Sequence, residues 1–253
     1  MVIPTPFQSQ IYRSLPEIER ADAIVDRITT AIRLGLLKVG ERLPPEAALS
    51  EMFGVGGATL REALAELREQ GVVETRRGRS GGTFVVTQPR PQTDSIREWF
   101  LSTSISEIRD IGDEQAAVAA AIIRLACERA EAHDVERLQE LARALVLATS
   151  PEGRALADSR FHIELAVSAQ SPRLANAEIR LQEETVQQLW TPIAAALDPE
   201  PATAEHLELV RAVAQDQPAK AGNLVLEHIR RNIYHLIDTK LTLGYARSNQ
   251  DAP

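Results

Sequence analysis

The chain has 253 residues, 44% of them apolar and 25% charged, values that exclude wholesale disorder and leave room for one or two domains with real cores. Its single cysteine, Cys127, excludes an internal disulfide framework and a Cys-rich zinc site, and fits a reducing compartment. The net charge of -8 argues against a nucleic-acid binder only until it is divided: residues 1 to 90 carry 12 Lys/Arg against 11 Asp/Glu, whereas residues 91 to 253 carry 16 against 25. No run approaches about 18 apolar residues, and MVIPTPFQSQ has neither the basic start nor the apolar core of a signal peptide. No membrane partner is expected, and the chain reads as cytoplasmic.

From Ile18 to Leu34 apolar residues recur at a three/four spacing that predicts an amphipathic helix, closed by Gly35 and Gly40. Two short helical patterns follow, Pro45 to Phe53 and Ala58 to Gln70, joined by Gly54, Val55, Gly56 and Gly57. Two helices around a Gly-containing turn of about four residues are a helix-turn-helix arrangement. Beyond Gly71, VVETR and TFVV flank a Gly-rich tip and predict a β-hairpin with arginines at its turn. Thr87 to Thr93, TQPRPQT, reads as a linker, which puts a domain boundary near residue 90. From Asp94 onward the pattern is helical, with breaks near Ser104, His133, Ser150, Ser171, Asp198 and Gln217, leaving six or seven helices. The expected fold is mainly α: an N-terminal winged helix-turn-helix with a small β-hairpin wing over residues 1 to 90, and an all-α bundle over 91 to 253. The polar tail from Ala246 is expected to fray.

Helix, helix-turn-helix and hairpin is the order of a winged helix, whose second helix of the pair enters the major groove while the hairpin lies along the DNA backbone or in the minor groove. Residues 75 to 90 hold Arg76, Arg77, Arg79 and Arg90 with no acid, a local patch able to bind phosphate whatever the overall charge. Arg61 on the second helix and Arg76, Arg77 and Arg79 around Gly78 on the wing are the candidate DNA contacts, since a guanidinium grips phosphate or pairs bidentately with guanine. Arg42 and Thr59 are further candidate phosphate contacts. Each arginine alone reads equally well as part of a solvated face.

Gly35 to Val85 resembles the DNA-binding domain of the GntR family of bacterial transcription regulators. The resemblance rests on Gly35, Gly40, Leu43-Pro44, Glu46, Leu49, Gly54-Val55, Leu60-Arg61-Glu62-Ala63-Leu64, Leu67, Gly71, Gly78 and Gly82. It departs where the family has Ser or Thr followed by Arg, because this chain has Gly56 and Gly57; some members also carry Arg where Ala47 stands. The lost hydroxyl cap costs a few tenths of a kcal/mol, on the order of what Gly costs at an N-cap. The Arg contact has no substitute, so Arg61 and the wing carry more of the readout.

In the second half, Asp158 and His162 stand i and i+4 within ALADSRFHIELA, on one helix face. His206 and His228 lie on two later helical patterns. Three imidazoles and a carboxylate suit a divalent transition metal: zinc first, then nickel or manganese. A lone D-x-x-x-H is more often a surface or capping pair, and His133 and His235 read as structural or surface residues.

The region from about Ser104 to Leu243 resembles the FCD ligand domain of the FadR-like subgroup, through Glu107-Ile-Arg109, AAVAAAIIRLA, Asp158-x-x-Phe161-His162, Glu205-His206, the Asp216 and Ala221 stretch, and Glu227-His228. That resemblance implies that Asp158, His162, His206 and His228 hold a metal, and that a small organic-acid effector sits on it with Arg109 pairing the carboxylate. Arg109 could equally pair with Glu107 or Asp113. Ser171 stands where the subgroup often has Asn. The reading is a homodimeric, ligand-responsive regulator, expected to repress from a palindromic double-stranded operator, and not an enzyme. A metal-dependent hydrolase using Glu164, Glu183 or Glu184 as base, and an interaction module with weakened DNA binding, are the alternatives.

Overall fold

The computed structural model describes residues 20–78, 81–89, 93–191, 193 and 196–250, in two compact units, Met1–Arg90 and Pro91–Pro253. In the first unit, α1 (Arg20–Arg33) buries Ile24, Ile28, Ala31 and Ile32 along one face, as its periodicity requires. Ile18, the expected start of this helix, lies outside the described residues. A short α2 (Glu46–Phe53) ends at Gly54, whose left-handed φ of 66° turns the chain at little steric cost. Then α3 (Gly57–Glu69) packs Leu60, Leu64 and Leu67 against α1 and α2. Full burial of each such leucine stabilises by roughly 1.5–3 kcal/mol.

The hairpin forms as expected, with β1 (Val73–Arg76) antiparallel to β2 (Gly82–Val85) in the register Val73 opposite Val85. A feature beyond the sequence reading is a third edge. Residues 40–43 lie along β2, with Gly40 N–H donating to Val85 O at 2.8 Å, Val85 N–H to Glu41 O at 3.0 Å and Leu43 N–H to Thr83 O at 2.8 Å. This ties the loop after α1 to the wing, so the wing's base is bonded on both sides.

The second unit has seven helices among the described residues. They are α4 (Thr93–Ser102), α5 (Ile105–Arg129), α6 (Ala132–Leu147), α7 (Pro151–Ser168), α8 (Pro172–Leu189), α9 (Pro199–Ala214) and α10 (Pro218–Gln250). The predicted breaks are where these helices start, and the local chemistry explains them. Ser104 and Glu107 form a capping box, with Glu107 N–H donating to Ser104 Oγ at 3.1 Å and Ser104 N–H to Glu107 Oε2 at 2.7 Å. Ser150 and Asp198 cap α7 and α9, and proline opens α7, α8, α9 and α10. The last helix continues through Gln250, beyond the expected fraying point at Ala246. None of the described helices is long and apolar enough to cross a membrane.

The pair α5 and α10 has the most extensive helix packing, and Gly112 permits it: a Cβ there would lie 2.7 Å from Ile233 Cγ1. Replacing Gly112 with Leu is therefore expected to destabilise the bundle by about 1–3 kcal/mol through overpacking, despite leucine's better helix propensity. An unchanged or raised denaturation midpoint would contradict this close approach.

Candidate metal centre and nucleic-acid interface

Three helices bring the four predicted ligands together. One turn apart on α7, Asp158 and His162 face inward; α9 supplies His206 and α10 supplies His228, and all four side chains are buried. A ligand atom from each of the three histidines falls within 4.8 Å of the others. His162 Nε2 and His228 Nε2 are 3.2 Å apart, and Asp158 Oδ1 lies 3.5 Å from His206 Nε2 and 3.8 Å from His162 Nε2. Two nitrogens each about 2.0–2.1 Å from one zinc ion stand roughly 3 Å apart, so the cluster has the dimensions of a ligand set.

The bonding pattern supports that fit. Asp158 Oδ1 and both His206 ring nitrogens are buried without a hydrogen-bond partner, a costly arrangement unless something else satisfies them. A cation between Asp158 Oδ1 and the Nε2 atoms would satisfy Asp158 Oδ1 and His206 Nε2, leaving only His206 Nδ1 of the three. Burial pushes all three imidazoles below their ordinary range, His162 and His206 well below, and the histidines facing one another add to this in those two. They are thus held neutral near pH 7, the form that binds metal. Burial also pushes the Asp158 carboxyl up, against His228 and a hydrogen bond from Trp190 that favour its charge.

Surrounding groups orient the ligands. Trp190 Nε1 donates to Asp158 Oδ2 at 3.0 Å, leaving Oδ1 to face the histidines. His228 Nδ1 meets Glu205 Oε2 at 2.7 Å, and Arg231 also bonds Glu205, so Nδ1 carries the proton and Nε2 is an acceptor, met by Asn232 Nδ2 at 3.1 Å. The His206 ring stacks on Phe161 with centroids 4.0 Å apart. Sequence reading assigned no role to Trp190 or Arg231, and Glu205 only a place in a motif. Their signal is spatial: Glu205 on α9 serves a histidine on α10, not its neighbour His206.

A cavity of about 20 Å³ adjoins the cluster, lined by Asp158, His162 and His228 together with Gln115, Glu178 and Gln182, among others. Glu178 is buried, and burial raises its carboxyl to about 7 despite a hydrogen bond from Gln182 Nε2 at 2.8 Å. Arg109 does not line this cavity. It is exposed on α5 and borders a separate cleft of about 350 Å³ with Asp113, Arg230 and Tyr234; the two share Ile229 and Ile233. Arg109 and the histidines thus border different spaces, which meet at Ile229 and Ile233. Glu107 is taken up by the α5 cap. Glu164, Glu183 and Glu184 are absent from the lining of the metal-side cavity.

In the N-terminal unit the exposed side of α3 presents Arg61, whose Nε donates to Gly57 O at 2.9 Å, and Thr59 is half-buried within the first turn. Gly56 gives α3 no side-chain cap, and open space surrounds the Cβ positions of Gly56 and Gly57. On the wing, Arg76 lies over the Phe84 ring at 4.5 Å and bonds Glu74 at 2.5 Å, while Arg77 and Gly78 are exposed. Arg42 pairs with Phe84 at the wing's base, its side chain packed over Gly82. Arg79 lies outside the described residues. An unforeseen link is Arg68 Nη1 donating to Thr75 Oγ1 at 3.2 Å, from α3 to β1.

A winged helix followed by a helical bundle with a buried ligand cluster defines a DNA-binding regulator with a sensing domain. Residues 20–85 match the family of bacterial regulatory proteins called the gntR family, and residues 110–231 match the FCD domain. The chain is 83% identical over 255 residues to RmpR of Mycobacterium gastri, named as an HTH-type transcriptional regulator, covering 100% of this chain and 93% of that one. It is 26% identical over 205 residues to the HTH-type transcriptional regulator LutR of Bacillus subtilis, covering 78% and 92%. Over 150 residues it is 33% identical to an L-lactate dehydrogenase operon regulatory protein of Escherichia coli, covering 58% and 57%. A GntR regulator structure from Rhodococcus sp. RHA1 shares the fold at a TM-score of 0.50 and 19% identity, covering 87% and 98%. The chain belongs to the GntR family of transcription regulators, in its FadR-like branch with an FCD domain, and is not an enzyme.

Proposed function

We propose that this regulator is a homodimer that represses from a palindromic operator, and that its FCD domain holds one divalent transition metal, zinc first, on Asp158, His162, His206 and His228. A small carboxylate effector binds at that metal and shifts the placement of the DNA-binding heads. The observation that carries the metal reading is the buried cluster itself, in which Asp158 Oδ1 and His206 Nε2 have no other partner. When bound, the metal supplies a positive charge that attracts a carboxylate oxygen. The chain's own residues hold the ligands in place: Trp190 orients Asp158, Glu205 with Arg231 orients His228, and Phe161 supports His206. Arg61, Arg76, Arg77, Gly78 and Arg79, with Arg42 and Thr59, form the proposed DNA contact set.

The test is fluorescence-anisotropy binding of the full chain to the DNA flanking its own gene, against a shuffled duplex, with and without carboxylates. Binding tighter by at least about a thousandfold to the native duplex, and release by a carboxylate only in the metal-loaded protein, are the expected results. Equal, steeply salt-dependent binding to both duplexes would point instead to electrostatics alone. Open space at Gly57 allows a direct check on the α3 terminus. Gly57→Arg is expected to strengthen DNA binding and steepen its salt slope by about 1, as one added phosphate contact does. No change in slope would mean that this end of α3 does not approach the backbone.

A further inference from the structure

The cleft of about 350 Å³ between α5 and α10 lies apart from the histidines and is built differently. Its floor is apolar: Ile229, Ile233 and Ile237 recur every four residues along one face of α10 and are buried, with Ala116 of α5 beside them. Its rim is charged. Arg109 and Asp113 stand one turn apart on α5, Arg230 and Tyr234 one turn apart on α10, and all four are exposed. Neither guanidinium has a hydrogen bond or ion pair among the described residues, although residues 91 to 253 carry 25 Asp/Glu against 16 Lys/Arg. Asp113 offsets one of the two arginines, which leaves the rim one positive charge in excess. A concave apolar floor under a few polar groups is the usual construction of a small-molecule site.

We propose that this cleft is a second binding site, for a singly charged anion with an apolar body. The body lies on the isoleucine row and against the Tyr234 ring, and Arg109 and Arg230 take the charged group. Size follows from the space: about 350 Å³, at roughly 30 Å³ for each non-hydrogen atom, holds a molecule of about a dozen such atoms. Neither half of the cleft selects alone. The floor accepts any apolar body, whereas a guanidinium bonds an anionic oxygen about twice as strongly as a neutral one and so chooses among bodies of equal shape. The site uses none of the proposed metal ligands, so the inference goes beyond the reading of the metal centre and stands without it.

The probe is 2-naphthoate, compared with its neutral amide, which keeps the shape, and with acetate, which keeps the charge. Isothermal titration into the full chain is expected to give 2-naphthoate a Kd at least about tenfold below that of either. The value is the same in chelator-treated and in zinc-loaded protein. In the double variant Arg109→Gln, Arg230→Gln, naphthoate binds no better than the amide, while Tyr234→Ser weakens both alike. All three side chains are exposed and bond nothing among the described residues, so these variants keep the fold. Equal affinity for naphthoate and amide in the unaltered chain overturns the proposal, as does a preference that survives loss of both arginines. A preference seen only with zinc overturns it equally, since the anion is then held by the metal. Absence of naphthoate binding also overturns it; if the chain is then a dimer that Tyr234→Arg splits, a second copy covers this face instead.

Discussion

Stripping the metal is expected to lower the thermal midpoint of the FCD unit by about 10 °C. Ligand held at a thousand times its Kd stabilises a fold by about 4 kcal/mol, and one kcal/mol moves the midpoint of a unit of this size by about 2–4 °C. On the proposed reading the ion joins α7, α9 and α10, and its loss leaves Asp158 Oδ1 and His206 Nε2 buried without a hydrogen-bond partner. Restoring zinc should restore the midpoint in the unaltered chain but not in His228→Ala. Differential scanning calorimetry with and without chelator makes the comparison; coincident transitions would show that no structural ion had been removed.

The second large effect concerns Glu178. Its folded-state carboxyl is raised from 4.5 to about 7, chiefly by burial, with Asp158 adding to the rise. Raising the folded value means the native state holds its proton more tightly than the unfolded chain. The stability this gives is present in full below about 4.5 and is lost as pH rises towards 7. In metal-free protein above that range, the unaltered chain therefore pays about 3 kcal/mol that Glu178→Gln does not. The glutamine variant should be more stable by that amount at pH 8 and nearly equal at pH 4.5, measured by urea denaturation. The three histidines work in the opposite sense. Their lowered folded values mean stability is lost as pH falls below their ordinary range near 6.5; Glu178 offsets part of that lowering at His228, so the difference between the two proteins reports Glu178 together with this coupling. A stability gap that does not vary with pH would contradict the buried, raised carboxyl.

Much of this architecture was legible because local chemistry dictates it. The helix starts at 105, 151, 172, 199 and 218 follow from Ser, Asp and Pro at fixed offsets, and the hairpin from β-branched runs around a Gly-rich tip. The Asp158 to His162 spacing gave one face of the metal cluster. His206 and His228 joined it through family resemblance, since nothing in their own helices distinguishes a ligand from a buried histidine. What stayed hidden depends on tertiary packing. Residues 40–43 pair with β2 although their Gly and Pro neighbours read as a turn. Arg109 matches a motif, yet it is exposed on α5 and borders, with Gly112, Arg230 and Tyr234, a cleft other than the cavity beside the histidines. Glu178 looks like any helical glutamate until α5, α7 and α10 close over it.

Four side chains are proposed to hold one ion, and metal stoichiometry tests that most directly. Elemental analysis of the full chain after zinc loading and gel filtration is predicted to give one ion per chain in the unaltered protein. In Asp158→Ala and His228→Ala, each checked for retained helicity by circular dichroism, it should give far less than one. Full occupancy in both folded variants, or no zinc in the unaltered chain, would contradict the centre proposed here.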